Sequence, residues 1–245
     1  MPGTTRDNAA VDGALLDKVR ALLAKAESTA FPAEADALNE KAQQLMARHA
    51  IDRAMIEGRA TSGDVRSRRI VVHAPYAKAR FLLLSAVARS CHCQAVWQQD
   101  LGSVTIFGFP AELDAVELLY TSLLVQATTA MVGTSASHRR GTQVAAFRRA
   151  FLTSYAQRVG VRLRAAAEAV AAEARAEHGD SLLPVLANRD SAVQAALKAA
   201  MPNTRQVRAS VSDAGGWSAG QKAADRAALS NQAGITAPSG VISGR

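Results

Sequence analysis

Seven arginines in a stretch without carboxylates are the clearest chemical feature of the sequence. Residues 118–167 contain no Asp or Glu, so these guanidinium groups have no acidic neighbour along the chain. A guanidinium binds phosphate oxygens through two parallel hydrogen bonds, which suits a nucleic-acid surface. The alternative is that the arginines flank a buried helical stripe and pair with carboxylates of other elements. The seven are Arg139, Arg140, Arg148, Arg149, Arg158, Arg162 and Arg164. We predict phosphate contacts from the first six of them.

The tripeptide Cys91-His92-Cys93 is a candidate metal motif. Zinc sites in proteins use about four ligands, commonly from two ligand pairs, and this sequence has no second cysteine pair. On a strand the two thiols would point to one side and the imidazole to the other. A rearranged loop that recruits His73 or His49 is the remaining route to a metal site. We therefore expect two small buried thiols, no metal and no cofactor.

Two further candidates have a structural explanation and a chemical one. His49 lies on an apolar helical stripe, which favours a hydrogen-bonded core residue over a catalytic one. The run from Asp213 to Gly216 precedes a helix and could present backbone N–H groups to a phosphate, with Arg205 and Arg208 nearby. It follows no strand and lacks the P-loop and Rossmann patterns, so we expect a helix start there, with tight packing at its glycines, Gly216 and Gly220.

Patterns typical of hydrolytic enzymes are missing from the sequence. There is no paired-carboxylate arrangement, no H-E-x-x-H motif and no nucleophile elbow around any of the serines considered, Ser85, Ser90 and Ser154. The acidic residues lie mostly near the N-terminus, where Glu34, Asp36 and Glu40 are expected to form a solvated face.

The composition indicates a folded, mainly helical protein. Of 245 residues 49% are hydrophobic and 53 are Ala, which favours helices, whereas only eleven are aromatic. These figures exclude a disordered tail, a coiled rod and a disulfide-stapled mini-protein. Few aromatic side chains are available for base stacking on single strands. The two cysteines are separated by a single residue, which predicts a reducing, cytoplasmic environment. The sequence has no apolar leader and no run of about 18 apolar residues, so we expect no membrane segment.

The net charge of +8 is unevenly distributed. Residues 1–64 hold 8 basic and 10 acidic residues, a net of −2, which leaves +10 for the other 181. The basic excess therefore belongs to the part of the chain that contains the arginine-rich stretch.

Hydrophobic periodicity predicts a helix-dominated α+β fold. A helical hairpin comes first, with helices from Gly13 and from Pro32 and a short third helix from Ile51. It is followed by a β-α-β-β-α layer, with strands at 70–73, 93–97 and 103–107, and by a long amphipathic helix from Val144. A final short helix is expected from Ser218. The predicted organisation is a loose leader at 1–12, the hairpin at 13–57, a linker at 58–69, a companion domain at 70–230 and a flexible tail at 231–245.

The hairpin contains three recognisable runs, LLAKAEST at 22–29, FPAEA at 31–35 and KAQQLMARHAID at 41–52. Over about residues 13–55 the chain closely resembles the family called domain of unknown function 2786. Residues 147–152 and 212–220 resemble the companion region that usually follows it. The resemblance implies bacterial or phage-borne biology and carries no catalytic residue.

A second similarity concerns residues 70–125. The strand at 103–108 and the helix after it are similar to the last strand and helix of a K-homology RNA-binding module. That module holds the nucleic-acid backbone with a Gly-x-x-Gly loop, and residues 74–88 contain no Gly. The similarity therefore implies only a local β-β-α shape.

The sequence favours a non-enzymatic, nucleic-acid-associated accessory protein that binds phosphates through its arginine-rich helix. Two alternatives stay open. One is a protein-protein interaction module whose hairpin docks a partner and whose charge is incidental. The other is an enzyme whose site is assembled from residues distant in sequence.

Overall fold

A computed structural model describes residues 4–29, 32–57, 64–134, 142–179, 182–205, 207 and 213–227. The elements follow in the order α1 (Thr4–Ser28), α2 (Pro32–Glu57), β1 (Arg66–Val71), α3 (Ala77–Ser90), β2 (Gln94–Gln98), β3 (Ser103–Gly108), α4 (Pro110–Thr134), α5 (Thr142–His178), α6 (Leu182–Ala200) and α7 (Ala214–Arg226). This order confirms the predicted helix-dominated α+β class, with its hairpin, its β-α-β-β-α layer and its long helix. The predicted tail at 231–245 lies outside the described residues.

The N-terminal hairpin has two long helices, and two local predictions for it were wrong. Residues 4–12 are helical rather than loose, since this segment contains neither Gly nor Pro to interrupt α1. Helix α2 begins at Pro32 as predicted, but it continues to Glu57 without a break before the expected third helix. No Gly or Pro interrupts it, and Arg48 and Asp52, one turn apart, form an ion pair of 3.3 Å across the predicted boundary.

The three strands form an antiparallel sheet in the order β1-β3-β2. Strand β1 begins at Arg66, four residues before the predicted start at Ile70 and inside the predicted linker. The first residues of this strand are polar, so the sequence predicted a linker there. One of them, Arg68, forms ion pairs with Asp114 at 2.7 Å and Glu117 at 2.9 Å, both in helix α4. Residues 58–63 of the predicted linker lie outside the described residues.

Helices cover both faces of this sheet. On one face, Val104 and Ile106 are fully buried in the main core with residues of α3 and α4, and the ring of Trp97 stacks on Phe81 at 5.8 Å. On the other face, Phe107 forms a smaller cluster with residues of α6 that include Val193. Alternate residues of β3 thus serve two different cores.

Helix α4 has the inward stripe that the sequence predicts. Leu113, Val116, Tyr120, Leu123, Ala127 and Met131 are all buried. By length and composition α4 could cross a membrane, and 44% of its most apolar window is buried inside the fold. A core helix of a soluble protein passes the same test, so this is weak evidence for a span.

Helix α5 is the spine of the fold, and its predicted stripe is buried through Phe147, Phe151, Tyr155, Val159 and Leu163. It ends at His178, before Gly179 with φ of +66°, as the sequence predicts. The main core also includes Val19, Leu23, Ala42 and Met46 of the hairpin. The hairpin and the rest of the chain therefore bury apolar side chains in one common core.

Helix α7 begins at Ala214, four residues before the prediction, because Asp213 caps it by accepting a hydrogen bond of 2.6 Å from the Gly216 N–H. A Cβ at Gly216 would lie 2.4 Å from the Phe147 carbonyl oxygen, and one at Gly220 would lie 2.2 Å from that of Phe151. The predicted tight packing at the two glycines is confirmed, since only hydrogen fits there.

Candidate functional site

A cavity of about 280 Å³ lies beneath the N-terminal hairpin. Its walls come from α1, α2, α4, α5, α6 and the turn between α3 and β2, and we call it the hairpin cavity. Most of the lining is apolar, and it includes Leu16, Met46, Ala115, Leu119, Ala166 and Val170. Exposed residues such as Gln44 and Glu173 also line it, which places one side at the protein surface. Five of the seven residues at 165–171 in α5 are Ala, and these small side chains leave the space of the cavity unfilled.

A buried ion pair stands at the wall of the hairpin cavity. Glu112, in the first turn of α4, accepts a hydrogen bond of 2.5 Å from Arg189 of α6, and the two side chains are 6% and 5% exposed. The Arg189 guanidinium also lies 3.7 Å from the ring centre of Phe109, a cation–π contact. Glu112 lines the cavity, and its Oε2 is buried without a hydrogen-bond partner among the described residues.

His92 is held at the cavity by an unusual backbone conformation. Helix α3 ends at Ser90, and the chain turns through His92 with φ of +56° before β2 begins. The imidazole Nδ1 lies 2.9 Å from Asp190 Oδ1, next to the arginine of the buried pair. Hydrogen bonding to this carboxylate raises the pKa of His92. His92 and Glu112 therefore both line the cavity, and both pair with neighbouring residues of α6.

Of the two thiols predicted to be buried, that of Cys93 is buried and that of Cys91 is partly buried. Cys91 follows the end of α3 and lines the cavity, while the Cys93 thiol donates to the Cys91 carbonyl oxygen at 3.4 Å. Burial raises the pKa of Cys91 to about 12 and also raises that of Cys93. Both thiols are free. Within the described residues, no three His, Cys, Asp or Glu side chains are grouped to hold a metal ion.

The hairpin above the cavity is the part of the chain that is similar to a known family. Residues 14–53 match the family model of DUF2786, a protein of unknown function. The predicted resemblance is thereby confirmed for this segment. No curated protein and no solved structure matches the chain.

The DUF2786 segment supplies one wall of the cavity. Leu15 and Leu16 of α1 and the run from Met46 to Ile51 of α2, apart from Arg48, line it. His49, expected in the core, is half-buried and belongs to this wall. On the outer side, the Glu34 carboxylate accepts a hydrogen bond of 2.6 Å from Thr29, which with nearby Lys25 lowers the pKa of Glu34.

Two of the predicted phosphate-binding arginines contact α7 or its end, although Arg158 remains exposed. Arg158 Nε lies 2.5 Å from Asp225 Oδ1. Arg162 donates to the carbonyl oxygens of Ala224, Asp225 and Ala227, at the end of α7. The Ala224 carbonyl also accepts a bond of 3.2 Å from the Ala227 N–H at the helix cap. The negative end of the helix dipole favours a cation at this position.

The other arginines do not share one face of α5. Arg149 is exposed, and it lies nine residues before Arg158, which is about 180° around the helix. Arg148 is half-buried, and its Nε is buried without a hydrogen-bond partner among the described residues. Arg139 and Arg140 lie outside the described residues. The structure therefore brings Arg158 and Arg162 together on the α7 side and places Arg149 opposite them.

Sequence reasoning missed Glu112, Arg189 and Asp190. Glu112 looked like an ordinary acidic residue in a first helical turn, and its partner is 77 residues away. One signal was available, since Arg189 and Asp190 interrupt the otherwise uncharged stretch of α6 from Leu182 to Leu197.

Proposed function

We propose that this protein binds a small, mainly apolar molecule in the hairpin cavity. The observation that carries the proposal is a space of about 280 Å³ whose walls are mostly apolar and include a few polar groups, Glu112 and His92 among them. Ligand sites in proteins have this character, and this cavity lies close to the lower end of their usual range, about 300 Å³. An apolar cavity of about 150 Å³ holds benzene, so this one suits a two-ring molecule.

Two further observations support binding without catalysis. The wall contributed by the DUF2786 segment joins the rest of the chain at the cavity, so a ligand there would contact both parts. The thiol that lines the cavity, Cys91, has a pKa of about 12 and is protonated at neutral pH. A protonated thiol is a poor nucleophile, which disfavours cysteine catalysis at this position.

Naphthalene is a suitable first probe because it is apolar and uncharged and has two rings. We expect saturable binding by titration calorimetry and a rise in melting temperature with probe concentration. Ala166→Phe fills part of the cavity and should weaken binding at least tenfold. Ala172→Phe, on the exposed side of the same helix and outside the cavity, is the matched control and should bind normally. Equal binding by both variants would place the probe elsewhere.

Nucleic-acid association is a second proposal, favoured by the exposed Arg149 in a stretch without carboxylates. Because Arg158 and Arg162 contact α7, the proposed contacts are Arg139, Arg140, Arg148 and Arg149. Filter binding to duplex DNA, single-stranded DNA and RNA across a salt series tests it.

The matched variants for that test each remove four positive charges. One replaces the four proposed arginines by Ala. The control replaces four exposed basic residues elsewhere, Lys18, Lys41, Arg89 and Lys198. We expect the first variant to lose affinity and salt dependence far more than the control. Equal losses would show that only net charge matters.

A further inference from the structure

One carboxylate oxygen of Glu112, at the wall of the hairpin cavity, has no hydrogen-bond partner among the residues that the structure describes. Glu112 Oε1 takes the 2.5 Å hydrogen bond from Arg189, whereas Oε2 is buried and accepts no hydrogen bond within the described part of the chain. Burial of a carboxylate oxygen without a hydrogen-bond donor destabilises the fold, because the oxygen loses its hydrogen bonds to water and no protein group replaces them. Such an atom needs an explanation, and beside a cavity a ligand's hydrogen-bond donor is one that can be tested.

The charges around this oxygen determine which donor suits it. The negative charge of Glu112 is already matched by the buried Arg189. An ammonium ligand would add a further positive charge to this buried, compensated pair and would lose its own hydration. A neutral hydroxyl or N–H donor satisfies the oxygen without that cost.

The oxygen can be reached by a small movement. Oε2 is buried, and Glu112 is one of the residues that line the cavity. The last torsion of a Glu side chain is soft, so the carboxylate can rotate towards a donor in the cavity while it keeps its pairing with Arg189.

We propose that the ligand of the hairpin cavity is an uncharged two-ring molecule with one hydroxyl or N–H group that donates a hydrogen bond to Glu112. This inference rests on the function proposed above and adds the ligand's polar chemistry. The rings occupy the apolar space between α2, α4 and α5, and the donor lies towards the end where α4 meets α6.

Four probes of similar size test the inference on the unmodified protein: 2-naphthol, 2-methoxynaphthalene, naphthalene and 2-naphthylmethylamine, which is protonated at neutral pH. We expect 2-naphthol to bind about tenfold or more tightly than the other three, as one hydrogen bond to a buried carboxylate implies. Similar affinities of 2-naphthol, 2-methoxynaphthalene and naphthalene, or tightest binding of the amine, would overturn the inference and leave the cavity function standing. If no probe binds, the cavity function itself fails.

A double variant locates the donor's partner. Glu112→Leu with Arg189→Met removes both charges together, so neither is left buried and unpaired. Calorimetry should show that this variant still binds naphthalene but has lost the preference for 2-naphthol. If the preference survives, Glu112 is not the acceptor.

Discussion

Helix α7 packs so closely on α5 that one added methyl group should lower the stability of the protein. The substitution Gly220→Ala tests this close packing. A Cβ at this position would lie 2.2 Å from both the Phe151 carbonyl oxygen and Ser154 Oγ. The Ser154 hydroxyl also donates to the Trp217 carbonyl oxygen of α7 at 2.8 Å. Since the carbonyl oxygen belongs to a helix backbone, it cannot move aside, and α7 must shift by about 1 Å.

Opposing effects set the size of the change. Overpacking of this kind costs about 1–3 kcal/mol, and weakening of the bond between Ser154 and Trp217 costs about 1 kcal/mol. The better helix propensity of Ala returns about 1 kcal/mol. We therefore expect a loss of about 1–3 kcal/mol in the free energy of unfolding, which lowers the melting temperature by about 2–4 °C for each kcal/mol.

Urea denaturation followed by circular dichroism measures this loss, and a second glycine provides the control. Gly133 lies in α4, and a Cβ there would meet no atom within 4 Å. Gly133→Ala should therefore be neutral or stabilising by up to about 1 kcal/mol. If Gly220→Ala proves as stable as the parent protein, the close approach of the two helices is wrong.

Three further predictions concern the cavity wall. Arg189→Met should cost about 3–5 kcal/mol in urea denaturation because Glu112 is left charged and buried, whereas the double variant Glu112→Leu/Arg189→Met should cost much less. Pairing with Asp190 raises the pKa of His92 above its unfolded value, so the pair stabilises the fold below about pH 6.5 and this stabilisation is lost as pH rises through the folded pKa. The variant His92→Asn removes the pair, and Asn tolerates the positive φ at this position. The difference in the free energy of unfolding between the parent and this variant should thus be larger at pH 5.5 than at pH 8.5. It should stay below about 1 kcal/mol because the pair is partly exposed. Iodoacetamide should modify Cys91 much faster in urea than in the native protein, as mass spectrometry of timed samples would show, because burial keeps the native thiol protonated.

Local patterns predicted the elements well where one face of a helix is buried. The stripe on α5 through Phe147, Phe151 and Tyr155 repeats at helical spacing, and this alone located the longest helix. Pro32 marked the start of α2, because proline favours the first helical position. The end of α2 was harder, since Ile51-Asp52 resembles a helix start although the preceding residues continue the helix.

The candidate site was out of reach for the same kind of reasoning. Its ion pairs join residues 77 and 98 positions apart, and neither partner interrupts a local pattern strongly enough to indicate the other. The arginines of α5 show the opposite problem. Their spacing and lack of local carboxylates are evident in the sequence, but the acidic partner of Arg158 is Asp225, 67 residues later.

The two proposed activities depend on different physics, and salt separates them. Internal pairing of Arg158 with Asp225 leaves the net charge of +8 unchanged, so long-range attraction to a polyanion persists even without a groove that collects the arginines. That attraction should fall steeply with salt concentration. Binding of uncharged 2-naphthol releases no counterions and involves a buried carboxylate that salt screens little, so its affinity should hardly change over the same series. Affinity for 2-naphthol that falls with salt as steeply as affinity for DNA would mean that both bind at the charged surface and that the cavity is not the site.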